Sequence, residues 1–549
     1  LVASSFFLYF LLTLCLYLSD IIFSIWREYM TRKNKFLVFI MMFFLFLNIF
    51  LLFINRWIYN NFGNVKIQEI LFTLLSPTSG TDTSLIYSFI LKALIPTLFI
   101  IVISFCFLLF LHKRLNGKIL KLLKITCSIF VVSTLLLNVF YTNSRYDIIN
   151  YLDYKNQKTT IYNKKKAKTK KSSEYIGDSS IIYQNPQDIQ ITSESSNNLI
   201  YIYLESIENS FMDTENGGIK DVNCLPELTQ LAKENISFSN TDKLGGALPF
   251  TGTTWTIASM TAQLTGLPLK VDVANDMDQQ DAFMPGAKTL SDFLHEQGYI
   301  QELMIGSQKE FAGTDKLFLQ HGYDRIYDYD TLKEMYSYQG KNINKWGFND
   351  YQLFEFAKEE LTKLGSTQNK FNFTLATIDC HTPDGFTCSN CPNTYKNQYE
   401  NIYACQSKQV SNFIKWCQEQ EWYTNTTIVL VGDHPTMAQS YIKDIPSTYQ
   451  RTTYNCFINS KIETTQIKNR QFTHMDMYPT TLAAMGFKIY GNKLGLGTNL
   501  FSKLPTVIEK YGLDYINEEV QKSSEYLDET LYLIFDYPYK YYTFKHFEV

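Results

Sequence analysis

Three apolar runs beyond residue 195 each stop at an acid or a histidine. LIYIYLES (Leu199–Ser206) ends in Glu205, FNFTLATIDCH (Phe371–His381) carries Asp379 and His381 at its end, and TTIVLVGDH (Thr426–His434) ends in Asp433 and His434. One such ending has an ordinary explanation, a carboxylate capping the next helix. Three at the same edge of one sheet point to a metal site, and two carboxylates with an imidazole suit a divalent cation such as zinc or manganese. The second clue is GGALPFTGTTWTIASMTAQLTG (Gly245–Gly266), rich in Gly and Thr before it turns helical after Trp255. A helix opening near Thr256 aims unpaired backbone N–H groups and its positive dipole end at an anion. A hydroxyl placed there beside a cation has a lowered pKa and becomes a nucleophile toward phosphorus. Without the metal acids, Thr256 reads as an ordinary helix cap. Thr251, Thr253 and Thr254 are close enough in sequence to be rivals for the same role.

These residues need a sheet to bring them together. The three runs, with YNCFINS (Tyr454–Ser460), have the length and apolar continuity of strands buried on both faces. Helical patterns lie between them, around Pro226–Glu234, Lys288–Gln297, Asp350–Lys363 and Gln406–Gln418. Strands alternating with helices predict an α/β domain with a central, mostly parallel sheet flanked by helices. In such sheets ligands bind beyond the carboxyl ends of the strands, where Glu205, Asp379, His381, Asp433 and His434 are expected.

The chain has 549 residues, too many for one ordinary domain, and a mean hydropathy of -0.13 that averages two unlike halves. Four apolar stretches, Phe6–Trp26, Phe36–Ile54, Ala93–Leu111 and Ile125–Tyr141, are read as transmembrane helices. Basic residues set the expected orientation. REYMTRKNK and HKRLNGK are rich in Lys and Arg, whereas Asn55–Ser84 has only Arg56 and Lys66. The first and third connections are therefore expected inside, and everything after Tyr141 outside. IQEILFTLL in the second connection is too short to span and reads as an interfacial helix. The sequence starts at Leu1, so an upstream piece is expected. Residues 142–195, with KKKAKTKK (Lys164–Lys171), read as a basic, polar linker; contact with anionic headgroups is the functional alternative. Residues 196–505 are the expected catalytic domain and 506–549 a Tyr-rich, acidic tail packed against it. The net charge of -3 carries no nucleic-acid signal.

Seven of the 10 Cys lie in the part expected outside, where disulfides persist. Cys388 and Cys391, in CSNC, suit a local disulfide; a zinc site would need two more ligands, and there is no second CxxC.

Taken as a set, YLES, TGTTWTIASM, TIDCHTPDG, VGDH and THMDMYPTTLAAMGF resemble the sulfatase-like branch of the alkaline phosphatase superfamily. More narrowly they resemble the membrane phosphoglycerol transferases, which include lipoteichoic acid synthases and enzymes that decorate periplasmic glucans. GTTWTIA and GLGTNLFS (Gly495–Ser502) look nearest the glucan-modifying group. The resemblance covers about Asn198–Leu504. It implies that Glu205, Thr256, Asp433 and His434 hold a divalent metal (Mn2+ or Zn2+, with Mg2+ a further option), that Thr256 is the nucleophile, and that His381 contacts the substrate phosphate or leaving group. His474 is assigned to the same pocket or to a second metal, and Asp476 to a structural role. The stretch Ile305–Asp324 resembles the substrate-contact region, but Thr314 follows Phe311–Ala312–Gly313 where relatives carry a basic residue; Lys309 and Lys316 are the candidates to supply that charge. Trp346 is a candidate pocket wall, with a core role as the alternative.

The expected activity is transfer of phosphoglycerol from phosphatidylglycerol, through a covalent threonine intermediate, to a glycan or polyglycerolphosphate acceptor, next to the lipid bilayer. Phosphoethanolamine transfer and phosphodiester hydrolysis are the alternatives of the same fold. A sulfatase would need C/S-x-P-x-R, which is absent. A non-enzymatic membrane protein binding glycans or headgroups has no need to keep the four metal-site residues together.

Overall fold

The computed structural model describes residues 32–63, 84–114, 117–146, 183–269, 282–340, 343–382 and 384–522, with isolated positions beside them. The apolar stretch Phe6–Trp26, the basic run 164–171 and most of IQEILFTLL lie outside the described residues. The chain divides into two compact units, one of Leu1–Ile67 and Asp82–Ile149, the other of Gln68–Thr81 and Asn150–Val549.

The first unit contains helices α1 (Arg32–Phe62), α2 (Ile95–Arg114, entered through a π-turn at Ile90–Leu94) and α3 (Gly117–Tyr146). Three segments, Val38–Phe62, Ile86–Phe107 and Ile125–Tyr146, are long and apolar enough to cross a membrane. They coincide with three of the four stretches read from sequence. At most 17% of each apolar window is buried within the protein, and Phe39, Phe99, Leu136 and Phe140 are largely exposed. Water would penalise such a surface and lipid would not. Polar pairs tie the helices together, Asn55 Nδ2 to Thr142 Oγ1 at 2.7 Å and Trp57 Nε1 to Ser88 Oγ at 3.1 Å. Interhelical hydrogen bonds of this kind replace the hydrophobic drive that apolar surroundings remove.

The second unit is built on six strands: β1 (Asn198–Leu204), β2 (Ile300–Ile305), β3 (Arg325–Tyr327), β4 (Phe371–Ala376), β5 (Thr426–Gly432) and β6 (Asn455–Ile458). Their order is β3-β2-β4-β1-β5-β6, parallel throughout except for β6. The sequence patterns of β1, β4, β5 and β6 announce these strands; β2 and β3 lack a continuous apolar run because Gln301, Glu302 and Arg325 interrupt them.

Both faces of the sheet are covered. Leu199, Tyr201 and Tyr203 of β1 face a core with α5 (Thr256–Thr265), α6 (Leu290–Glu296) and α9 (Met477–Ala484). The alternate residues Ile200, Ile202 and Leu204 face a second core with α4 (Pro226–Glu234), α7 (Asp350–Gly365) and α8 (Gln398–Gln418). Two buried faces explain why the strands read as unbroken apolar runs. The tail continues into the first core: Ile516 and Val520 of α10 (Leu513–Gln521) are buried there. Asn517 on that helix accepts a hydrogen bond from the backbone of Thr251, so the tail braces the loop leading to Thr256.

Candidate active site

Register decides the first feature of the site. Leu204 of β1 pairs with Gly432 of β5, so the next residue on each strand, Glu205 and Asp433, leaves the sheet at the same level. Gly432 is required at that point, because a Cβ there would lie 1.8 Å from the carbonyl oxygen of Ile207. The chain after Glu205 bends sharply, with Ser206 in the left-handed region at φ 58°. That conformation is costly for a residue with a side chain and tends to mark functional sites. Here it has a visible use. The Ser206 amide donates to Asp433 Oδ1 at 2.7 Å, and the Ser206 hydroxyl donates to Glu205 Oε1 at 2.6 Å.

Glu205, Asp433 and His434 are almost fully buried, at 2%, 1% and 2% exposure. His434 Nε2 lies 3.5 Å from Asp433 Oδ2 and 3.7 Å from Glu205 Oε1. The other ring nitrogen, Nδ1, is 3.0 Å from the carbonyl of Pro435, an arrangement that puts the proton on Nδ1 and leaves Nε2 as a donor atom for a ligand. Asp433 Oδ2 is buried without a hydrogen-bond partner among the described residues. Burial, and then the charge of Glu205, push the Asp433 carboxyl up to about 7. Burial pulls the His434 imidazole down, but the carboxylates of Asp433 and Glu205 outweigh it and the net shift is upward.

Thr256 is the first residue of α5, and its hydroxyl meets this group. Oγ1 lies 3.4 Å from Glu205 Oε2 and 3.4 Å from His434 Nε2. Ligands at about 2.1 Å from a tetrahedral cation stand roughly 3.4 Å apart, close to all four of these separations. An orphaned carboxylate oxygen, a like-charged neighbour and a deprotonated imidazole nitrogen are what a divalent cation would satisfy, so the residues present fit the group. Trp255, the residue before the helix, provides no side-chain cap, and a helix N-terminus is a favourable place for an anion. Of the rivals, Thr253 is fully buried, with its hydroxyl on the backbone of Phe250 at 2.8 Å.

A family model described as Sulfatase matches residues 197–487, just over half of the chain. The chain belongs to the sulfatase family. Phosphoglycerol transferase I of Escherichia coli O127:H6 is 30% identical over 313 residues, 56% of this chain and 39% of that relative. The chain thus spans about two fifths of the length of the curated relatives it matches. Among solved structures, the lipoteichoic acid synthase LtaP from Listeria monocytogenes has a TM-score of 0.45 at 16% identity, covering 57% of this chain and 79% of that one. The phosphoethanolamine transferase EptA from Neisseria meningitidis has a TM-score of 0.44 at 13% identity, covering 79% and 81%.

Within this sulfatase-family domain the other residues singled out from sequence fall into separate groups. His381 follows β4 and packs against Trp346, ring centroids 4.8 Å apart and the planes tilted by 57°; Trp346 in turn meets Phe311 edge-on at 5.1 Å. Trp346 therefore joins the two loops that the sequence assigns to the substrate, although its indole is 7% exposed. Lys309 is turned to Asp328, with Nζ 3.9 Å from Oδ1. Lys316 is half-buried on the helix Thr314–Leu319.

Asp379 does not join the metal acids. Its carboxylate accepts from Asn344 Nδ2 at 3.1 Å and from the Asp350 amide at 3.1 Å, which fastens the loop to the start of α7. His474, assigned from sequence to the pocket or a second metal, is fully buried with both ring nitrogens occupied. Nε2 is 3.1 Å from the Gly432 carbonyl and 2.9 Å from Thr453 Oγ1, and Nδ1 is 3.4 Å from Ser259 Oγ. Burial pulls it down to about 4, so it is a neutral brace beneath the Gly432–Asp433 turn. Asp476 caps the turn before α9 by accepting from the Thr473 amide at 2.9 Å.

Sequence reasoning passed over Ser206, and also Thr377, whose hydroxyl accepts from the Glu205 amide at 2.9 Å. It also missed the buried Glu208, paired with Arg451 at 2.7 Å; Arg451 in turn donates to the Thr436 carbonyl just after His434. Only adjacence to the metal acids in the sequence could have flagged Ser206, and nothing flags the pairing of residues 243 positions apart.

Proposed function

We propose that this protein is a membrane-anchored, metal-dependent phosphotransferase that moves phosphoglycerol from phosphatidylglycerol to a hydroxyl of a glycan or polyglycerolphosphate. The observation that carries the reading is the placement of the Thr256 hydroxyl, at the start of a helix, against Glu205 and His434. The phosphoglycerol transferase relative supports the choice of group.

A divalent cation held by Glu205, Asp433, His434 and Thr256 would supply Lewis acidity, lowering the pKa of the Thr256 hydroxyl and offsetting phosphate charge. Thr256 Oγ1 attacks phosphorus while the bond to the diacylglycerol oxygen breaks. Glu205 Oε2, 3.4 Å from Thr256 Oγ1, is the acceptor for the threonine proton, the lone pair of His434 Nε2 being committed to the cation. The first-turn amides of α5 bind the non-bridging oxygens. His381, held by Trp346, donates a proton or hydrogen bond to the departing diacylglycerol. A phosphoglyceryl-threonine remains. The acceptor hydroxyl then attacks phosphorus, giving its proton to His381, and Thr256 Oγ1 leaves as its own proton returns from Glu205. The apolar helices would keep the domain on the bilayer that holds the donor, and the basic first and third connections support a place on the outer face.

The test is release of diacylglycerol from labelled phosphatidylglycerol by the full chain in detergent, with manganese or zinc. Release that needs both metal and Thr256 is expected. Release from phosphatidylethanolamine alone would replace the headgroup, and release of free glycerol phosphate without an acceptor would make the protein a diesterase.

A further inference from the structure

Away from Glu205, three cysteines converge. Cys388 and Cys391 lie on the loop between β4 and α8, and Cys405 lies on α8 itself. Cys388 Sγ is 3.7 Å from Cys391 Sγ and 3.7 Å from Cys405 Sγ, and all three sulfurs lie within 4.8 Å of one another. None is in a disulfide. The local Cys388–Cys391 bridge expected from CSNC is therefore replaced by two separate thiols and a third that the helix brings in.

We propose that Cys388, Cys391 and Cys405 form a metal site of their own, a three-thiolate seat for zinc that clamps the loop after β4 onto α8. Zinc binds thiolate sulfur at about 2.3 Å, and the edge of a tetrahedron of that size is about 3.8 Å. Both short separations around Cys388 match that edge. A disulfide needs its sulfurs about 2.05 Å apart, consumes two of the three and strands the third against them. A metal uses all three.

The fourth position has a candidate too. Gln409, one turn after Cys405 on the same helix, has Nε2 3.0 Å from Cys405 Sγ and 3.7 Å from Cys388 Sγ. Its Oε1 is buried without a hydrogen-bond partner among the described residues. Turning the amide over would bring that oxygen to the sulfurs, as a ligand or as a partner for a bound water. A cleft of about 580 Å³, lined by Asn344, Asn349, Thr387, Cys388 and Ser389 among others, opens beside the cluster and gives an ion a way in.

The consequence falls on the loop. His381 and Asp379 lie on the same connection as Cys388, so a clamp there fixes the segment bearing them relative to α8 and the sheet. The inference stands independently of phosphoryl transfer, since it rests on the sulfur geometry alone.

The experiment is cobalt and zinc loading of the reduced, detergent-solubilised full chain. Thiolate-to-cobalt charge transfer gives a near-ultraviolet band that carboxylate and imidazole ligands do not, so it reads this cluster and not the Glu205 centre. We expect the band in the wild type and in Asp433→Asn, its loss in Cys391→Ser and in Cys405→Ser, and one equivalent of zinc fewer in each cysteine variant. Should either variant fold poorly, zinc protection of the wild-type thiols from a thiol-reactive dye gives the same reading. A wild type with reduced thiols that shows no band and no protection would overturn the proposal. So would a disulfide between two of the three in the protein as isolated.

Discussion

The hydroxyl of Thr256 lies 3.4 Å from Nε2 of His434, although the two residues are 178 positions apart. One sits on the first turn of a helix and the other follows the last parallel strand of the sheet. With the Nδ1 proton committed to the Pro435 carbonyl, Nε2 faces the hydroxyl with its lone pair. The relationship is the reason to propose Thr256, and not Thr251, Thr253 or Thr254, as the nucleophile. Thr256→Ala is expected to lower turnover by on the order of 10⁴-fold or more while leaving thermal unfolding nearly unchanged, because the side chain is half-buried. Thr256→Ser, which keeps the hydroxyl, should retain measurable turnover. Activity of Thr256→Ala near the wild-type level would count against the assignment.

Asp433 Oδ2 is buried with no hydrogen-bond partner among the described residues, and its natural complement is a cation. Asp433→Asn is expected to weaken manganese or zinc binding at this centre by at least about 100-fold, measured by calorimetry on a background that lacks the cysteine cluster. Chelation should abolish wild-type turnover, and readdition of the metal should restore it. Unchanged metal affinity in the variant would remove Asp433 from the ligand set.

Ser206 tests the support behind the acids. Its strained backbone would be relieved by glycine, whereas its hydroxyl bond to Glu205 would be lost. Ser206→Gly is therefore expected to keep its stability while metal affinity falls by roughly 10- to 100-fold. Ser206→Ala loses the hydroxyl and keeps the strain, so it should be the less stable of the two. Equal metal affinity in both variants and the wild type would deny the hydroxyl its role.

His474 gives a pH signature. Its pKa is about 4 in the folded state against 6.5 ordinarily, owing to burial. Between those values the unfolded chain binds the proton and the folded chain does not, so this residue's contribution to stability is lost as pH falls from about 6.5 to about 4. The full effect is roughly 3 kcal/mol. Denaturant unfolding of wild type and His474→Gln across that range should show the wild type losing more stability by about this amount. Parallel curves would contradict a buried neutral imidazole.

The strand ends were legible because a sheet buried on both faces writes itself as uninterrupted apolar runs, and because Glu205 and Asp433 stand directly after such runs. β2 and β3 were not, since Gln301 and Glu302 make polar contacts within the sheet: Asn372 Nδ2 donates to Gln301 Oε1 at 2.8 Å, and Tyr327 donates to Glu302 at 3.4 Å. The sequence around His474 looks like a ligand motif. Its role as a brace depends on Gly432, Thr453 and Ser259, which only the fold brings to it. Asp379 was misleading for the same reason, being an acid at a strand end whose partners are the start of α7 and Asn344. Cys405 was invisible beside CSNC because a loop and two turns of helix separate it from Cys391 in the chain.

The most direct test of the proposed chemistry is intact mass spectrometry of the full chain after brief incubation with phosphatidylglycerol and manganese, followed by peptide mapping. A mass gain equal to one phosphoglycerol group, mapped to Thr256 and absent from Thr256→Ala, is the expected result. Turnover of the lipid with no adduct on rapid quench, or an adduct on another residue, would contradict a covalent intermediate on Thr256.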